Sequence, residues 1–248
     1  MGKVESKLIF LGTAGDVFTM SNQFLASGGI FFQYGEIKLI IDPGPGSIVY
    51  AKKMGINIRD LTGILISNNS ILKSSDVKAL ISSMTYDGLD KKGILIQNKE
   101  SILLDNANVE KLFFLSPFEG LTELALSNVE IKAMPTYGNN SIGFKIITSD
   151  FSLVYSGDTN YHNNLIEFYN NPDFLILNMP LMDKIENSKN EMISIIEKVQ
   201  PKLTIITSFG IKMINRDILN DIRDIQKATG IQCISAKDNF SLNIEAYI

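Results

Sequence analysis

Histidine occurs once in this 248-residue chain, as His162; cysteine occurs once, as Cys233; and tryptophan does not occur. One histidine excludes a metal centre built on several imidazoles of a single copy. One cysteine excludes an internal disulfide and fits a reducing compartment. No stretch approaches the roughly 20 apolar residues that a spanning helix needs. The opening segment, MGKVESKLIFLG, has too short an apolar run for a secretory signal. A cytoplasmic protein without membrane contact is therefore expected. Positive charge is also scarce: 23 Lys and Arg stand against 27 Asp and Glu, a net charge of −4. Nucleic-acid affinity is largely cationic, so nucleic acid is not a favoured partner. No repeat, low-complexity tract or Pro/Ser-rich linker interrupts the chain, and residues 1–248 are expected to form one domain.

Hydrophobic residues make up 45% of the sequence, enough for a substantial core. Lys7 to Leu11 reads as a strand ending in the turn Gly12-Thr13-Ala14-Gly15. Gly28-Gly29 leads into a second strand at Ile30-Phe31-Phe32. A third, Lys38 to Ile41, stops at Asp42-Pro43-Gly44-Pro45-Gly46, where the prolines forbid continuing the ladder. Ser47 to Met54 suits a helix with Ser47 as N-cap, and Gly63 to Ile66 a buried strand. Val77, Leu80, Ile81 and Met84 share one face of a helix over Ser75–Met84. Short strands are expected between Lys92 and Thr148. Further strands follow at Phe151–Tyr155, Phe174–Leu177, Leu203–Thr207, Ile231–Ile234 and Ser241–Tyr247. Helices are expected near Asn164–Tyr169 and over Glu191–Val199 and Arg216–Thr229, the last closed by Gly230. Strands followed by helices, twice over, suit an α+β, αββα sandwich: two facing mixed sheets with helices outside.

Leu11-Gly12-Thr13, Gly28-Gly29, Ile41-Asp42-Pro43-Gly44-Pro45-Gly46, Ser156-Gly157-Asp158-Thr159 and Thr207-Ser208-Phe209-Gly210 follow one another along the chain. In this order and spacing they resemble the metallo-β-lactamase superfamily, in particular its ribonuclease Z-like and archaeal stand-alone branches. The resemblance runs from about Leu8 to Tyr247. It implies the metallo-β-lactamase fold and, in family enzymes, zinc hydrolase chemistry.

The departures from the family pattern carry the functional expectation. Family enzymes place an H-x-H-x-D-H loop after a buried strand ending in Ser or Thr. Here Gly63-Ile64-Leu65-Ile66-Ser67 is followed by Asn68, Asn69, Ser70, Ile71, Leu72 and Lys73. By position, Asn68, Ser70 and Lys73 replace histidines, and Leu72 replaces the aspartate. No histidine lies near Pro135-Thr136-Tyr137-Gly138, and Ser208 stands where the last one falls. Asp158, the family's bridging carboxylate, remains. Zinc sites use imidazole, thiolate and carboxylate; Asn and Ser bind zinc poorly, and Lys73 would repel it. The resemblance thus implies a degenerate site with neither metal nor cofactor, and no catalytic residue.

The leading reading is a pseudoenzyme that binds a small molecule or a protein partner through a pocket of Asp42, Asn68, Ser70, Lys73, Asp158 and Ser208; self-association stays open. Two alternatives remain. One is a phosphodiester, ester or lactone hydrolase with a carboxylate site formed by Asp42, Asp76 and Asp158. The other is a regulatory subunit of an active paralogue. Turn and N-cap roles account for Asp42 and Asp76 without a metal. His162 reads as a surface residue, Cys233 as an inert core thiol, and Gly12–Gly15 as a plain turn rather than a phosphate nest. Met179, Met182, Met192 and Met213 read as packing. The most specific expectation is that Lys73 pairs with Asp158, because a partly buried carboxylate is costly unless paired or protonated.

Overall fold

The computed structural model describes residues 4–99, 108–115, 120–138, 140–179 and 185–248. The elements are β1 (Ser6–Phe10), α1 (Val17–Ser21), β2 (Ile30–Tyr34), β3 (Ile37–Ile41), α2 (Ser47–Lys53), β4 (Gly63–Leu65), α3 (Ile71–Ser74), α4 (Val77–Met84), β5 (Ile94–Asn98), β6 (Lys111–Leu115) and β7 (Thr122–Leu126). They continue with β8 (Val129–Pro135), β9 (Ile142–Ile147), β10 (Ser152–Tyr155), α5 (Asn163–Tyr169), β11 (Phe174–Asn178), α6 (Ile185–Val199), β12 (Leu203–Thr207), α7 (Ile211–Ile214), α8 (Ile218–Thr229), β13 (Cys233–Ser235) and β14 (Phe240–Leu242).

Two seven-stranded sheets result, ordered β14-β1-β2-β3-β4-β5-β6 and β13-β12-β11-β10-β9-β8-β7. Both are mixed. In the first, β3 to β6 run parallel and β14, β1, β2 and β3 antiparallel; in the second, β10 to β13 run parallel and β7 to β10 antiparallel. The period-2 alternation of a strand sorts its side chains between two cores. Leu39 and Ile41 of β3 enter the layer between the sheets, where Phe144, Leu153, Phe174, Ile176 and Ile205 of the second sheet meet them. Ile40 points the other way, onto Ala51, Leu80, Ile81 and Met84 of α2 and α4. In β11, Leu175 and Leu177 point outward onto Met192, Ile195 and Ile196 of α6 and Ile222 and Ile225 of α8. Both faces of each sheet are covered, which is why its central strands read as continuous apolar runs. The sandwich is αββα, as the strand and helix order implied.

Local differences have local causes. Ser47 is the first helical residue of α2, not its cap. Gly46 takes the cap position with φ 88°, and the Ser47 hydroxyl turns back to the carbonyls of Gly28 and Gly44. Asp76 precedes α4, but its carboxylate accepts from the Ile48 amide and so caps α2. Ser241–Tyr247 is not one strand: β14 ends at Leu242 and a 3₁₀ turn covers Ile244–Ala246. Strand β14 also leaves the second half to pair with β1. The short helices α1, α3 and α7 escaped the sequence reading because four or five residues carry too little periodicity. Among the described residues, no helix is long and apolar enough to cross a membrane.

Candidate functional site

Strands β1, β3 and β4 of one sheet, and β10, β11 and β12 of the other, end at the same edge of the sandwich. The loops after them converge there, as loops at the carboxyl ends of parallel strands commonly do. Close backbone packing holds them. A Cβ on Gly15 would lie 2.0 Å from the Ser208 carbonyl oxygen, and one on Gly138 would lie 2.0 Å from that of Asp158. Only glycine permits such approach. The Gly12–Gly15 loop ties the sheets together: Ala14 bridges Phe209, and the Ala14 and Gly15 amides donate to Ala26 and Phe209. Those two amides are spent on tying the sheets together.

Lys73, 8% exposed, lies at the centre. Its Nζ is 3.1 Å from Asp158 Oδ1 and 3.2 Å from Asp42 Oδ2, and it donates to the Tyr155 hydroxyl at 3.0 Å. The expected Lys73–Asp158 pair is present, widened into a cluster. Asp42, with φ 52°, is more than a turn residue. It accepts from the Ser67 amide at 2.6 Å, the Ser67 hydroxyl at 2.7 Å and the Tyr155 hydroxyl. Asp158 accepts from Asn68 Nδ2 at 2.7 Å and Asn178 Nδ2 at 3.1 Å. Asn178 Nδ2 also donates to the Tyr155 hydroxyl at 3.0 Å, and its Oδ1 accepts from Ser208 Oγ at 3.0 Å.

The electrostatics follow the contacts. Burial alone would depress the Lys73 ammonium, but Asp158, Tyr155 and Asp42 outweigh it and hold its pKa well above the ordinary lysine value. Burial pushes the Tyr155 phenol up, with Asp42 adding to the rise, so Tyr155 is a neutral donor. Burial would raise Asp158; Lys73 first, then Asn178 and Asn68, bring it below the usual carboxylate range. Its side chain stays 41% exposed. That opening faces a cavity of about 150 Å³, which Asp42, Ser70, Leu72, Lys73, Tyr155 and Ser208 also line.

Five of the six expected pocket residues are joined in the hydrogen-bonded cluster. Ser70 lines the cavity from its exposed rim, its amide bonded to Asn68 Oδ1 at 3.0 Å. Asn69 faces solvent. Asp76 is held at the α2 N-terminus, so Asp42, Asp76 and Asp158 form no three-carboxylate site. His162 caps α5 through Nδ1 and stacks on Tyr137 with ring centres 3.6 Å apart. Cys233 is buried, its pKa pushed up to about 11 by burial, an inert thiol. Met179, Met192 and Met213 are buried; Met182 lies outside the described residues. The sequence reading missed Tyr155, Asn178 and Ser67. Asn178 and Ser67 had left a signal, a polar residue at the end of a wholly apolar strand run.

Among the described residues, no three His, Cys, Asp or Glu side chains come together to hold a metal. The cluster does not fit zinc: the space that a shared cation would take between Asp42 and Asp158 is filled by an ammonium, and their other partners are donors.

No protein-family model matches the chain. The uncharacterized protein MJ1374 of Methanocaldococcus jannaschii is 26% identical over 251 residues, spanning 93% of this chain and 92% of that one. The metallo-β-lactamase fold protein YhfI from Bacillus subtilis superposes with a TM-score of 0.79 at 18% identity, over 96% of this chain and 98% of its own. The short form of human tRNase Z superposes with a TM-score of 0.72 at 12% identity, over 96% and 99%. Two seven-stranded mixed sheets between helical layers, and these likenesses, make one statement: this chain has the metallo-β-lactamase fold.

Proposed function

We propose that this protein is a metal-independent binding protein built on a hydrolase scaffold, and that its cavity holds a small molecule. One observation carries the reading. The Lys73 ammonium sits between Asp42 and Asp158, within ion-pair distance of both, and donates to the Tyr155 hydroxyl. A cation of the protein's own thus does the electrostatic work of a metal without being able to activate water. Lowering the pKa of water from 15.7 toward about 7 takes a metal ion. The hydrolase alternative needed Asp76 beside Asp42 and Asp158, and Asp76 is spent on α2. The buried free thiol Cys233 suits a reducing, cytoplasmic setting.

Metal analysis and thermal denaturation of the purified protein test this. The expected result is well under one equivalent of zinc, iron or manganese and an unchanged melting temperature in a strong chelator, since a structural metal would contribute folding energy. Stoichiometric metal, removed by the chelator together with a phosphodiesterase, esterase or lactonase activity, would overturn it.

A further inference from the structure

The class of ligand follows from counting which donors and acceptors the cavity has left, and it rests on the binding reading above. Lys73 is already engaged on three sides: it donates to the Tyr155 hydroxyl and its charge is paired with Asp42 and Asp158. The Tyr155 hydroxyl accepts from Lys73 and Asn178 and donates to Asp42. Both Asn178 N–H groups are taken by Tyr155 and Asp158. Asp42 is closed in by the amide and hydroxyl of Ser67. Among these side chains, capacity remains mainly on the acceptor side. The two oxygens of Asp158 offer about four acceptor sites to three protein donors. The hydroxyls of Ser70 and Ser208 line the same space, and Ser208 spends its proton on Asn178. One ammonium against two carboxylates leaves the cluster with a formal charge of −1. Among the described residues that line the cavity, Lys73 is the one cation, and both carboxylates already hold it.

The rim has a different character. Val17, Phe18, Phe24 and Ile71 are large, apolar and 49 to 56% exposed. Helix α1 starts just after Gly15, and α3 directly after Ser70, both cavity-lining residues. The two helices pack beside each other, and the Phe18 and Phe24 rings lie 6.1 Å apart. Clustered apolar exposure beside a polar cavity marks a binding surface. The cavity, about 150 Å³, is below the roughly 300–1,000 Å³ that takes a whole drug-sized ligand, so it suits a head group whose tail lies outside.

We infer that the cavity binds a primary organic ammonium. Its head sits on Asp158 with Ser70 and Ser208, and its apolar chain runs out over Val17, Phe18, Phe24 and Ile71. Charge complementarity selects the head, and the apolar rim selects a chain over a bare cation.

Calorimetric titration of the full chain with four probes tests this: hexylammonium, ethylammonium, hexan-1-ol and hexanoate. Hexylammonium should bind at least about fivefold more tightly than ethylammonium or hexan-1-ol, and hexanoate should give no detectable heat. Asp158→Asn should weaken hexylammonium at least about tenfold. Phe18→Ser, on the surface and safe for folding, should erase most of the preference for hexyl over ethyl. Ser70→Trp, at the mouth, should abolish binding. Hexanoate binding as tightly as hexylammonium, and lost in Ser70→Trp, would overturn the ammonium assignment and leave the binding reading standing. If none of the four binds, the ammonium assignment is overturned. If a broad panel of metabolites then leaves the melting temperature unchanged as well, the binding reading falls with it.

Discussion

The molecule contains a second buried lysine between two aspartates, and this one joins two helices. Lys73 and Lys189 are each 8% exposed. Lys189 Nζ lies 3.1 Å from Asp221 and 3.0 Å from Asp224, much as Lys73 lies between Asp158 and Asp42. In each, the carboxylates overcome burial and raise the ammonium pKa, further at Lys73. The surroundings differ. Lys73 takes one partner from each sheet, and Tyr155, Asn68, Asn178 and Ser67 occupy the remaining polar atoms. Lys189 clips α6 to two positions one turn apart on α8; Asp224 is 56% exposed, and one Asp221 oxygen is buried without a partner. The Lys189 cluster fastens a helix pair. The Lys73 cluster closes the end of the sandwich around a cavity. A lysine between carboxylates is thus no functional signal by itself; the completeness of the network around it, and the space beside it, are.

The comparison breaks if the two lysines prove equally dispensable. Lys73→Met leaves Asp42 and Asp158 facing each other with no cation. Removing one partner of a buried ion cluster costs several kcal/mol; with Asp158 open on one side, about 3 kcal/mol is expected in urea denaturation. Asp158→Asn in the same chain should recover part of the loss, so the two changes together cost less than their sum. A loss below about 1 kcal/mol, the range of an exposed pair, would make Lys73 ordinary.

The pH dependence sharpens this result, and its sign differs between the two proteins. Asp158 has a folded pKa below its unfolded value, about 3.9. Its contribution is fully present above that value and is lost as pH falls through the folded one. Lys73, with a raised folded pKa, contributes below about 10.4 and loses that contribution only at more alkaline pH. The wild-type cluster therefore keeps its stabilisation from about pH 5 to 9. In Lys73→Met, burial and the facing Asp42 push the Asp158 carboxyl up, so acidification relieves the strain. Melting curves at pH 7.5 and 5.0 should show the gap between variant and wild type narrowing by at least about 1 kcal/mol. A gap that widens in acid would mean that Asp158 was never stabilised by Lys73.

The fold was legible because it rests on local signals. Asp42-Pro43-Gly44-Pro45-Gly46 and Ser156-Gly157-Asp158 end strands for steric reasons visible in one dimension, and apolar runs mark strands covered on both faces. The Lys73–Asp158 pair was legible because an unpaired carboxylate is expensive. Tyr155 was not: its hydroxyl reaches Asp42 across the gap between two sheets, a contact that exists only once they are stacked. Asp76 misled because a residue before a helix reads as that helix's cap, while its carboxylate serves another helix 28 residues earlier. Ser70 was placed at the site by its position in the loop, and it lines the rim rather than the interior.

Lys189→Met should cost less than Lys73→Met, about 1–2 kcal/mol by urea denaturation. Water reaches the ammonium's partner Asp224, and only Asp221 is left buried and unpaired. A cost equal to that of Lys73→Met would show that the closed donor network around Lys73 adds nothing. Hydrogen exchange should register the loss locally, in the amides of α6 and α8, and leave those of β3 and β10 unaffected.

Salt gives the smallest effect and separates the two clusters most directly. At 1 M salt the screening length is about 3 Å, against about 10 Å at 0.1 M. Screening acts through water, so it reaches a pair only where water does. Asp224, 56% exposed, lets ions approach the Lys189 cluster from outside. Asp42, with a side chain 5% exposed, and Lys73, at 10%, leave no such route between them. Double-mutant cycles should therefore show the Lys189–Asp224 coupling falling by roughly half between 0.1 M and 1 M salt. The Lys73–Asp42 coupling should hold within the error of the cycle. Asp158, open to the cavity, should fall between them. If Lys73–Asp42 proves as salt-sensitive as Lys189–Asp224, ions enter the cavity freely. The Lys73 cluster would then be a solvated surface feature, and the closed network that distinguishes it from Lys189 would not exist in solution.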